Sequence, residues 1–180
     1  MFRATRTLTA FAVAAALGVA GTAVATADEP PAKGVTESLR EATAKYQDVN
    51  AALADGFVST VHCESSPDGA MGIHFVNPAR IEDPRILPTK PEVLLYEPHS
   101  DGSLELVGVE WFQVDPDQNL ATDDGRPSVF GVPFNGPMLG HSPGMPIHFD
   151  LHAWVWRNNP TGTFKSWNPN VSCAGAAASD

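Results

Sequence analysis

The stretch MPIHFDLHAWVW, residues 145–156, alternates its side chains with a period of two. On a β-strand that period sends Ile147, Phe149, Leu151, Ala153 and Val155 to one face and His148, Asp150, His152, Trp154 and Trp156 to the other. The first row demands an apolar layer beneath it. The second gathers two imidazoles, a carboxylate and two indoles on one surface.

Further extended segments are FVSTVHC (57–63), GIHFVN (72–77), EVLLYEP (92–98), LELVGVEWFQV (104–114), SVFGVPF (128–134) and FKSW (164–167). Their separators are rich in Gly, Pro, Asp and Asn. Segments 92–98 and 104–114 are apolar on both faces, which implies a second buried layer or an internal cavity. A single helix precedes the strands: Leu39, Ala42, Tyr46, Val49 and Leu53 recur at spacings of three and four, and Gly56 stands where a C-terminal cap belongs. Ser38 with Glu41 fits a capping box, with Thr36 as a competing cap. The fold expected is α+β, a mainly antiparallel sheet, curled or barrel-like, with one N-terminal amphipathic helix packed on it.

The N-terminus has a different purpose. Arg3 and Arg6 precede an apolar run from Leu8 to Val24, and Ala25-Thr26-Ala27 supplies the small residues after which signal peptidase cuts. Residues 1–27 read as a signal peptide, and residues 28–180 as a single globular domain of a secreted protein, with 28–34 as a flexible leader. No other run approaches the roughly 18 apolar residues that cross a bilayer, so no membrane partner is expected after cleavage. The chain carries a formal charge of −10, and the signal takes two of its 11 basic residues and none of its 21 acidic ones. With no cluster of Lys or Arg, nucleic acid is excluded as a partner. Cys63 and Cys173 read as a disulfide formed in an oxidising compartment.

The segments ATAKYQDVNAALADG, MGIHFVNP, PEVLLYEP, GVEWF and GMPIHFDLHAWVW together resemble those of a group of small secreted bacterial proteins with no assigned function. The resemblance spans most of residues 40–173. It implies one domain and nothing about chemistry.

Chemistry must come from the histidines, six in all. MGIHF (71–75) is echoed by MPIHF (145–149), which places His74 and His148 in similar surroundings. His148 and His152 lie about 13–14 Å apart on a straight strand, too far to share an ion, so a metal site needs donors from separate strands. His74 is one. Glu110, a carboxylate set among apolar residues where an unpaired charge is costly, is another. His74, His148 and His152 with Asp150 or Glu110 would suit one transition metal ion: zinc, iron, copper or manganese. A second reading is a small organic molecule held against Trp111, Trp154 and Trp156, with His141 reaching in from the GHSPG loop (140–144). A third is a structural His-Asp network that only satisfies buried hydrogen bonds.

Other motifs carry less. GHSPG matches a nucleophile elbow in letters, but a strand follows it where a helix is required. DPDQNLATD (115–123) lacks the glycine and terminal glutamate of a calcium loop and reads as a solvated turn. His99 reads as a turn residue and His62 as facing outward.

Overall fold

The computed structural model describes residues 33–142 and 144–176. The signal peptide expected at 1–27 lies outside the described residues, as do residues 28–32 of the expected leader; α1, Lys33–Thr43, includes the leader's last two positions. After α1 come a 3-10 turn at Ala44–Gln47, α2 (Val49–Ala54), β1 (Val58–Ser66), β2 (Gly69–Val76), α3 (Pro78–Ile81), β3 (Val93–Pro98) and β4 (Leu104–Val114). Two short strands, β5 (Ser128–Val129) and β6 (Val132–Pro133), form a separate hairpin, and β7 (Asn135–Met138) and β8 (His148–Ala153) complete the chain of elements. Six strands make one antiparallel sheet in the order β1-β2-β3-β4-β8-β7. The fold is thus α+β. Its sheet curls into a half-barrel and leaves β1 and β7 as edges, so the strands do not close into a barrel.

The helix expected as one piece is broken. Asp48 takes an extended conformation and its carboxylate accepts the Asn50 N–H, which starts α2 afresh. Ser38 sits inside α1 and its hydroxyl donates to the Gly34 carbonyl, so the expected capping box does not form. Gly56 does end the helical region, with φ at +88° and the next N–H, that of Phe57, donating to the Ala52 carbonyl. FKSW (164–167) forms turns, not a strand, although Phe164 is buried. Strand β7 passes through Gly136 and Pro137, residues that read as loop.

Each face of the sheet has its own core. Leu94, Tyr96, Trp111, Phe149 and Leu151 lie on the helix side, against Leu39, Tyr46 and Phe57. On the other side Val93, Leu95, Val107, Phe112 and Trp154 form a second buried cluster with Val171 from the C-terminal segment. The two-sided apolarity of β3 and β4 has this cause.

An irregularity in β4 decides what the second face can hold. Leu95 pairs with Gly108 but Tyr96 pairs with Leu106, so Val107 is an extra residue opposite β3. Because one inserted residue inverts the alternation of a strand, Leu104 and Leu106 turn to the helices while Gly108, Glu110 and Phe112 turn to the other side. Without the bulge Glu110 would point with Leu106 into the helix-side core. Gly108 leaves room there for an indole: a Cβ at this position would stand 3.1 Å from Trp154 Cε3. The expected disulfide, Cys63–Cys173, is formed, with Cα atoms 5.6 Å apart, and ties edge strand β1 to the C-terminal segment. Among the described residues no helix is long and apolar enough to cross a membrane.

Candidate metal centre

Three strands contribute one donor each to a single point on the second face. Glu110 of β4 lies directly opposite His152 of β8. His74 comes from β2, beyond β3, whose Val93 and Leu95 share this face. His74 Nε2 is 3.4 Å from Glu110 Oε2, and His152 Nε2 is 3.9 Å from the same oxygen. One ligand atom from each of the three residues lies within 4.8 Å of the others. Bond lengths of about 2.0–2.2 Å to zinc place tetrahedral donors roughly 3.3–3.6 Å apart, so the group needs shifts of a few tenths of an ångström to about one ångström to close on an ion.

The surroundings are unusual for ionisable groups. His152 is 1% exposed, and neither of its ring nitrogens has a hydrogen-bond partner. Glu110 Oε2 is equally buried and also lacks a hydrogen bond. Burial, and then the neighbouring His152, holds the His74 imidazole down at about 3; burial, followed by His141 and His148, does the same to His152, also about 3. Burial, reinforced by Asp150, pushes the Glu110 carboxyl well above its ordinary range. Two neutral imidazoles facing a carboxyl that resists ionisation share one deficiency, a nearby positive charge. A divalent cation would supply it to all three donors together.

The other expected ligands stand one step back. Asp150 is not in the group: its carboxylate lies 3.8 Å from His152 Nδ1, on the side of the ring away from Glu110, and accepts a 3.4 Å hydrogen bond from Asn135 Nδ2. At that distance no hydrogen bond joins the two; closing the gap would give the carboxylate the orienting contact that metal-site histidines use. Burial raises the Asp150 pKa. His148 is fully buried but turned elsewhere, with Nδ1 3.1 Å from the Pro146 carbonyl and its ring stacked on Phe112 at 4.6 Å. The sequence echo therefore places His74 and His148 on the same face and gives them different partners.

The tryptophans divide. Trp154 stacks beside His152 with ring centroids 6.3 Å apart, and its Nε1–H donates to the Lys165 carbonyl. Trp111 lies on the helix side, where Nε1–H donates to the Leu87 carbonyl. Trp156 also lies there, bonded to Thr43 Oγ1 at 3.0 Å, because β8 ends at Ala153 and the alternation stops with it. Neither of these two shares a face with His74, Glu110 and His152.

A cavity of about 290 Å³ opens onto the triad, with His74 and Glu110 among its lining residues. Its walls are Val76, Ile81, Val93, Phe112 and Met145, and its mouth is set by Thr60, His62, Glu64, His141 and Ser142. His141 is exposed on its loop and belongs to that mouth. His62, expected to face outward, is exposed, and it also lines the mouth, for a reason found in β1. Ser59 pairs with Phe75 and Cys63 with Ile73, so Thr60, Val61 and His62 stand against the single residue His74. Val61, at φ +62° and 73% exposed, is where the strand buckles. The period-two set Thr60, His62 and Glu64 is the signal by which sequence alone might have found this rim. Comparison of the chain with family models, curated proteins and solved structures gave no match, so the site stands on its own geometry.

Proposed function

We propose that this protein is a secreted metal-binding protein that holds one divalent transition-metal ion between His74, Glu110 and His152, with an open coordination position facing the adjoining cavity. The observation that carries the reading is the convergence, within 4.8 Å, of three buried donors from three strands, two of which have side-chain atoms with no hydrogen-bond partner. A structural His-Asp network would have its ring nitrogens satisfied, and His152 has both unsatisfied. Two imidazoles and one carboxylate form the donor set of catalytic zinc and of non-haem iron(II), which leave positions for water or a substrate oxygen. Export is supported by the signal-like N-terminus and by the Cys63–Cys173 disulfide.

The test is the metal content of the secreted, untagged chain, prepared without chelator and measured by elemental analysis. Close to one equivalent of a transition metal is expected, lost in His74→Ala and in His152→Ala. Metal-free protein that fails to take up Zn²⁺, Fe²⁺, Cu²⁺ or Mn²⁺ in calorimetric titrations would overturn the proposal.

A further inference from the structure

The metal reading leaves unstated what the open position receives, and the cavity beside it narrows the choice. We infer that the cavity takes a small molecule with an apolar, uncharged body and a single nitrogen or oxygen group that reaches the metal; this rests on the metal reading above.

The chemistry of the walls is one-sided. Val76, Ile81, Val93, Phe112, Val114 and Met145 give an apolar surface with the His74–Glu110 pair as its polar floor. Among the described residues no Lys or Arg lines the cavity, and Glu64 stands at its mouth. A carboxylate or phosphate on the part of the ligand that does not reach the metal would leave water for walls with no cationic side chain. An alkyl or aromatic body loses nothing by entering and gains its transfer free energy. The volume, about 290 Å³, is at the lower end of small-molecule sites, so the ligand is small. The buckle at Val61 opens β1 beside His74, at the place where such a molecule would enter.

The inference is tested on the full secreted chain loaded with Zn²⁺, its metal content measured in every sample. The probes are 1-methyl-, 1-butyl- and 1-hexylimidazole, each with one neutral donor nitrogen, and 5-(imidazol-1-yl)pentanoate, which carries a carboxylate at the far end of its chain, all titrated by calorimetry. Affinity is expected to rise about fourfold per methylene until the cavity is full, following the usual gain of about 0.8 kcal/mol per buried CH₂. 5-(Imidazol-1-yl)pentanoate should bind at least tenfold more weakly than 1-hexylimidazole. Val114, 37% exposed at the rim, offers a position that tolerates change. Val114→Trp should remove the gain of the hexyl chain and leave 1-methylimidazole binding unchanged. Zinc bound with affinities indifferent to chain length, or a hexyl gain untouched by Val114→Trp, overturns the apolar ligand and spares the metal site. 5-(Imidazol-1-yl)pentanoate binding as tightly as 1-hexylimidazole overturns the exclusion of charge from the ligand body. Absence of bound zinc removes the metal reading, and this inference with it.

Discussion

Replacing His152 by leucine should stabilise the metal-free protein, an outcome opposite to that for most buried residues. Both ring nitrogens of His152 are buried without a hydrogen-bond partner, and its nearest carboxylate contacts, 3.8 Å to Asp150 and 3.9 Å to Glu110, are too long to be hydrogen bonds. Each unsatisfied group costs about 1–3 kcal/mol, while a near-isosteric apolar replacement costs under about 1.5 kcal/mol in repacking. A net gain of about 1–3 kcal/mol is therefore expected at pH 7.5 in the presence of a chelator. The same residue fixes a pH dependence. Its folded-state pKa, about 3, lies below the ordinary 6.5, so between those values the unfolded chain binds a proton that the folded chain does not. Stability is then present above pH 6.5 and lost as pH falls toward 3. At pH 5 a histidine of this kind costs a further 2 kcal/mol or so, which His152→Leu would recover, so the advantage of the variant should widen by about that amount between pH 7.5 and pH 5. Urea denaturation of both proteins at the two pH values measures it. A variant less stable than the parent by 1 kcal/mol or more, or an advantage that does not change with pH, would show that His152 is satisfied by the protein itself.

Three other outcomes follow from the coordinates. Asp150→Asn should weaken zinc binding by about 10- to 100-fold in competition titrations, because the carboxylate that faces His152 Nδ1 is lost while the three donors remain. Glu92, pushed up to about 7 by burial, contributes stability below pH 4.5 that is lost as pH rises through 7, so Glu92→Gln should be more stable than the parent by about 2–3 kcal/mol at pH 9 and no more stable at pH 4. That substitution keeps an acceptor for the Phe112 N–H, and thermal melts at the two pH values read the difference. Replacing both Cys63 and Cys173 by Ala should cost about 4–5 kcal/mol in guanidinium denaturation, the loop-closure value for a sequence separation of 110.

Much of the site was legible because its residues break local rules. Glu110 stands out as a charge inside an apolar strand, and the period of residues 145–156 assigns His152 to a face away from the core beneath. His148 and His152 do not share a point, in keeping with their spacing along one strand, and the partners of His152 come from β2 and β4. What escaped the sequence is what departs from regular alternation. The bulge at Val107 sends Leu106 and Glu110 to opposite sides of β4, the buckle at Val61 turns His62 to the cavity mouth, and the end of β8 at Ala153 releases Trp156 to the helices. Each is a choice of register made by the partner strand, and no single segment carries it. The break at Asp48 has a different origin, since a side-chain cap there competes with continuation of the helix while the apolar spacing runs on through it.

A half-barrel has two rims, and an open rim is normally an invitation to strand addition from another molecule. Here one rim, β7, is only four residues long and includes Pro137, which has no N–H to offer. The other, β1, is buckled at Val61 and pinned by its disulfide to the C-terminal segment. Neither presents the flat, regular template on which fibrils grow. The chain can therefore leave one side of its curve accessible to solutes without making that opening a seed for aggregation.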